Sequence, residues 1–131
     1  MSYAIITDSC CDFPRELIPE LDIEIVHLTL MLRGREIINP TEEQTKEVYD
    51  ALRSGGAATT AAVNPEGWSS VIEPVLKAGQ DALVIAFSSG LSTTYQSAVI
   101  AAEELQEKYP HRKIRVVDSL CASLGQGLLV W

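Results

Sequence analysis

Basic residues are scarce in this chain: its 131 residues carry 10 Lys and Arg against 18 Asp and Glu, a net charge of −8 at pH 7, and nowhere do the basic ones form a run. Non-specific attraction to DNA or RNA, which depends on Lys and Arg neutralising phosphates, is thereby excluded. Long apolar runs are missing too. None approaches the roughly 20 residues that cross a bilayer, and the N-terminal segment meets Asp8 before any signal-peptide core develops. A cytoplasmic protein with no transmembrane segment is expected. Cysteine is limited to Cys10, Cys11 and Cys121, an odd number with no Cys-x-x-Cys pair. Neither a disulfide framework nor a zinc site is expected, and free thiols suit a reducing compartment. A chain of this length buries roughly two thirds of the surface its unfolded form exposes, so it needs no such staple.

What the chain does have is an alternation of short apolar runs with amphipathic ones. Tyr3 to Thr7 reads as a strand, and Asp12 to Glu20 as a short helix with Pro14 in its first turn. Ile23 to Leu32 is apolar in both alternating sets, the pattern of a single strand buried on both faces. Leu32-Arg33-Gly34-Arg35 forms a turn into a return strand, Glu36 to Asn39, giving a small hairpin. Thr41 with Gln44 makes a capping box for a helix that runs to about Arg53 and stops at Gly55-Gly56. Asn64-Pro65-Glu66 opens another helix that ends near Gly79, with Pro74 expected to kink or break it. Ala82 to Phe87 is a strand. After it, Tyr95, Ala98, Val99, Ala102, Leu105 and Tyr109 mark one face of a long helix. Lys113 to Val117 is a further strand, and Ser119 to Trp131 a helix interrupted by Gly125 and Gly127. Strands alternating with helices predict a mostly parallel sheet covered on both faces, with ligands held outside the carboxyl ends of its strands.

Chemistry concentrates in the strand-to-helix loop Ser88 to Thr94, where Ser89, Ser92, Thr93 and Thr94 add hydroxyls to the free amides of a helix N-terminus. With no Lys or Arg there, and no P-loop motif in the chain, a singly charged group such as a carboxylate fits better than a triphosphate. The same hydroxyls also serve as helix caps, and spacing alone favours that simpler role. Thr59-Thr60, before the helix at Pro65, is a second hydroxyl source on a candidate loop. Asp8-Ser9 and Asp118-Ser119 each end a strand, where the carboxylates are either an acid-base pair or, more often, caps. Ser92 lacks a nucleophile elbow because Thr94 replaces the second glycine, and Gly125-Gln126-Gly127 does not follow a strand as a dinucleotide motif would. His27 and His111 have no partner nearby in sequence. No cofactor is expected, and catalysis finds little support.

Thr7-Asp8-Ser9, Thr60 with Asn64-Pro65-Glu66, the run Phe87 to Ala98, and Val116-Val117-Asp118-Ser119 with Gly125 and Gly127 together resemble the DegV proteins, bacterial fatty-acid-binding proteins. The resemblance implies a three-layer α/β/α domain with a small, mostly parallel sheet plus a short β-hairpin. Residues 1–131 would be the N-terminal domain of a two-domain protein, truncated at its C-terminus and lacking its C-terminal domain. It also implies a lipid-binding carrier, not an enzyme, that holds a long-chain fatty acid while a partner fatty acid kinase phosphorylates the carboxylate. By position, Thr60 and Ser92 would donate hydroxyl hydrogen bonds to that carboxylate, with the backbone of the Ser92-Thr93 loop beside them. Thr93 and Ala61 stand where family members commonly carry glycine and serine. Two other readings stand beside this one. One is an enzyme acting on a small acid or phosphate through the same loop with Asp8 and Asp118. The other is a structural or interaction domain that associates through its apolar end, Leu128 to Trp131.

Overall fold

The computed structural model describes residues 2–131; Met1, the first residue of the expected domain, lies outside the described residues. The elements in chain order are β1 (Tyr3–Asp8), a 3-10 turn (Ser9–Cys11), α1 (Leu17–Glu20), β2 (Ile23–Val26), β3 (Thr29–Leu32) and β4 (Arg35–Ile38). They continue with α2 (Glu42–Arg53), β5 (Ala58–Ala61), α3 (Pro65–Lys77), β6 (Asp81–Ala86), α4 (Thr94–Lys108), β7 (Ile114–Asp118) and α5 (Leu124–Val130).

A parallel sheet of order β2-β1-β6-β7 forms the centre. Because side chains alternate across a strand, each strand supplies both layers. Ile6, Val26, Val84 and Ile114 turn one way, against Trp68 and Ile72 of α3 and Ala98, Ala101 and Leu105 of α4. Ile5, Ile23, Leu83 and Ile85 turn the other way, against Phe13, Leu21 and Val130 of α5. These are the three layers expected. The approach of α5 depends on Gly127, because a Cβ there would stand 2.8 Å from the Cys11 carbonyl oxygen. Only a residue without a side chain lets the helix backbone sit so close to the 3-10 turn.

A second, antiparallel sheet has the order β4-β3-β5. The β3-β4 hairpin turns through Arg33 and Gly34, both at positive φ (51° and 78°), as a two-residue turn matching strand twist requires. In the register, Leu30 lies opposite both Ile37 and Thr60, and Leu32 opposite Ala58, so these residues share one face. At the Leu32 and Ala58 end that face packs on Val48 and Ala51 of α2. The capping box is formed as expected: Thr41 Oγ1 accepts from the Gln44 amide and Gln44 Oε1 accepts from the Thr41 amide.

Five expectations change. The apolar stretch from Ile23 to Leu32 is two strands in two sheets, parted at His27 and Leu28, where the Leu28 amide donates to Ser9 Oγ at 3.0 Å. Thr59 and Thr60 are on a strand, not a loop, because β5 completes the antiparallel sheet beside β3. The helix expected from Asp12 shrinks to Leu17–Glu20, since Asp12 adopts a left-handed conformation (φ 51°) that ends the 3-10 turn. Pro74 does not interrupt α3. It lies in the last turn, so the helix ends three residues later in any case. The final helix begins only at Leu124 and runs through Gly125 and Gly127, of which Gly127 serves its close packing.

Candidate functional site

Beyond the part of the antiparallel sheet that α2 covers, the same face opens into a groove of about 440 Å³. Its walls include Leu30, Ile37 and Thr60 of the sheet, Leu28 from the β2-β3 break, Cys10 and Asp12 after β1, Phe87 after β6, and Ala122 and Ser123 after β7. Small-molecule sites commonly span about 300–1,000 Å³ with apolar walls and few polar groups, and this groove has that character. None of its lining residues is Lys, Arg or His, and Asp12 is its one charged residue. Asp12 Oδ2 accepts a 2.7 Å hydrogen bond from Ser123 Oγ, which ties the loops after β1 and β7 together at the groove.

Thr60 is exposed and stands in the groove wall, directly opposite Leu30, whereas its neighbour Thr59 is not among the lining residues. Ser92 and Thr93 are not among the lining residues. They sit at the start of α4, where Ser92 Oγ accepts from the Thr94 amide at 3.1 Å and lies 2.9 Å from Thr94 Oγ1. Thr94 Oγ1 in turn accepts from the Val63 amide at 3.4 Å, three residues beyond Thr60. The segments that carry Thr60 and Ser92 are thus joined through Thr94. Thr93 is the N-cap residue at φ −78°, ψ 0°, with no capping bond from its side chain. That right-handed backbone accommodates the threonine side chain without strain. The capping role that spacing favours is real for Ser92, and Ser88 Oγ likewise accepts from the Gly90 amide.

The strand-end carboxylates do structural work. Asp8 is fully buried: Oδ2 accepts from the Phe87 amide at 2.7 Å, and Oδ1 accepts from the Cys10 amide and Gln126 Nε2. Burial pushes its pKa up, and these hydrogen bonds pull against that rise. Asp118 Oδ1 accepts from the Ser89 and Leu120 amides, and hydrogen bonding, chiefly from Ser89, holds its pKa below the ordinary carboxylate value. Each carboxylate holds a loop in place. The three cysteines are free, and burial with the nearby charge of Asp8 raises the Cys10 thiol to about 12, far from a reactive thiolate. His27 is half-buried and its pKa is lowered, first by burial and then by Arg15. Among the described residues no helix is long and apolar enough to cross a membrane.

Sequence reasoning found Thr60 but not the apolar groove around it, whose walls come from separate segments. It also missed Gln126, fully buried, whose Nε2 donates to Thr7 Oγ1 at 2.9 Å and to Asp8. A glutamine between two glycines in an otherwise apolar stretch was the available signal.

A family model described as "Uncharacterised protein, DegV family" matches residues 2–131. A DegV domain-containing protein of Clostridium perfringens is 40% identical over 131 residues, which cover 98% of this chain and 45% of the relative. Among solved structures, a fatty-acid-binding DegV family protein from Thermus thermophilus superimposes with a TM-score of 0.86 at 34% identity, over 99% of this chain and 45% of that one. A stearic acid-binding protein from Eubacterium ventriosum gives a TM-score of 0.88 at 25% identity, over 98% of this chain and 45% of that one. The chain therefore spans a little under half the length of the relatives it matches.

Proposed function

We propose, from the premise that this chain belongs to the DegV family, that its apolar groove takes part of the acyl chain of a fatty acid and that Thr60 and Ser92 donate hydrogen bonds to the carboxylate, with the Thr93 backbone beside them. The observation that carries the reading is the groove itself: a wall of Leu28, Leu30, Ile37 and Phe87 with the Thr60 hydroxyl set into it and no cation. Asp12 repels a carboxylate, which favours Thr60 over Asp12 as the head group's neighbour. The proteins of known structure that this chain resembles at 25% identity or more include fatty-acid binders, which fits an acyl occupant.

The energetics favour a shared task with the rest of a longer protein. Burying methylenes contributes about 0.8 kcal/mol each, on the order of 10 kcal/mol for about a dozen, before the costs of association. That requires enclosure. Hydrogen bonds to a charged group contribute roughly 1.5–3 kcal/mol each, and two hydroxyls do not replace an enclosing pocket while also offsetting desolvation of the carboxylate. Residues 1–131 in this reading are the N-terminal domain of a longer chain whose remainder closes over the lipid, and alone they bind fatty acid weakly or not at all. The same reading makes the protein a cytoplasmic carrier rather than an enzyme, presenting the carboxylate to a fatty acid kinase that forms the acyl phosphate.

The test is to express the reading frame to its natural end, extract the purified protein and look for a fatty acid by mass spectrometry. A fatty acid is expected, with retention reduced about tenfold in Ser92→Ala and in Thr60→Ala. No lipid in the extract removes the carrier reading, and unchanged retention in Ser92→Ala removes Ser92 from the site.

A further inference from the structure

The Thr94 hydroxyl is fully buried, so its proton must find an acceptor within the protein. Two groups lie within hydrogen-bond distance of Oγ1 among the described residues. The Val63 amide at 3.4 Å only donates, and Ser92 Oγ at 2.9 Å is left as the acceptor. In the opposite arrangement, with Ser92 donating, the Thr94 proton would be enclosed with no partner. Ser92 Oγ also accepts from the Thr94 amide at 3.1 Å. It therefore accepts twice, which fills both of its lone pairs. Its own proton is left over, with no acceptor among the described residues, on a side chain that is only half-buried.

We infer that Thr94 is a positioning residue that fixes Ser92 as a donor and denies it any role as an acceptor. Resting on the carboxylate reading of Ser92, this gives the head-group site its selectivity: Ser92 welcomes a group that accepts hydrogen bonds, such as an ionised carboxylate, and offers nothing to a donor such as an amine. Thr94 is itself held from two sides. Trp68 Nε1 donates to its carbonyl at 3.0 Å, and the Val63 amide anchors its hydroxyl. Both partners belong to the chain that follows Thr60, so the polarity of one hydroxyl is set by the segment that delivers the other.

A double-mutant cycle on stearate binding by the protein expressed to the end of its reading frame tests this. Ser92→Ala and Thr94→Val are each expected to weaken binding about tenfold, and the pair no more than either alone, while Thr94→Ser stays within about twofold of wild type. Losses that multiply to about a hundredfold in the pair, or no loss in Thr94→Val, overturn the assignment. A purely structural role for Thr94 would act equally in the Ser92→Ala background. If wild type does not bind stearate, or if Thr94→Val does not fold, NMR of the 131-residue chain decides. A slowly exchanging Thr94 hydroxyl proton, close to the Ser92 β protons and lost in Ser92→Ala, supports the inference; rapid exchange with water refutes it.

Discussion

The two sheets use apolar surface in opposite ways. The parallel sheet is covered on both faces, by α3 and α4 on one and by Phe13, Leu21 and α5 on the other, and its inner residues Ile6 and Val84 are wholly inaccessible. In the antiparallel sheet, Val48 and Ala51 of α2 join Leu32 and Ile37 in a small core with Leu30 and Ala58 at its edge, and Leu30 and Thr60 are left along a groove. The first arrangement stabilises the fold. The second leaves part of its hydrophobic potential unspent, available to a ligand. Under the proposed function, stability and binding fall to different strands, and substitutions in the two regions should separate cleanly.

The largest effect should come from the covered side. Trp68 is 0% exposed and its indole bonds to the Thr94 carbonyl, so Trp68→Ala should cost about 3–5 kcal/mol in urea unfolding. A loss under about 1 kcal/mol would mean that this layer is not the core. Gly127→Ala tests the opposite face: the added methyl meets the Cys11 carbonyl oxygen, and about 1–3 kcal/mol should be lost as α5 shifts. In the groove, Leu30→Ala should cost only about 1 kcal/mol of stability, because Leu30 is half-buried, yet should clearly reduce fatty-acid retention. Equal damage to stability from Leu30→Ala and Trp68→Ala would erase the distinction between the sheets.

The smallest effect concerns pH. Hydrogen bonds from Lys108 and Tyr109, with the charges of Lys108 and Lys77, hold the Glu73 pKa down at about 2 against an ordinary 4.5. Its ionised form is favoured by folding, so its contribution is complete above pH 4.5 and disappears as pH falls towards 2. Glu73→Gln should flatten the acid limb of a stability-against-pH curve in that window. An unchanged limb would place acid sensitivity elsewhere.

Where periodicity and capping chemistry act locally, the sequence was readable. Thr41 with Gln44 and Asn64 with Pro65 marked two helix starts, and the long apolar stripe of α4 marked another helix. The strand β5 was opaque because Ala58-Thr59-Thr60-Ala61 has no apolar alternation; it exists because β3 offers it a partner. The change of sheet at His27 and Leu28 was hidden by apolar residues on both sides of it, since nothing in the pattern marks where a chain bends away. At the site, the hydroxyl residues stood out as motifs. The groove did not, for its walls are single residues from segments as distant as Cys10, Ile37 and Phe87. The role of Thr94 was equally invisible, because it depends on which neighbour can receive a proton.

The buried Asp8 has a wider meaning for this architecture. In the order β2-β1-β6-β7 the connections diverge between β1 and β6, and open α/β sheets place external anions in the crevice that forms there. Here the amides of Cys10 and Phe87, one beyond each of those strands, are already bonded to the chain's own carboxylate. The sheet supplies its own resident anion at the spot where sister folds recruit a nucleotide or phosphate, and under the proposed function a visiting acid is received to one side, over the neighbouring antiparallel strands.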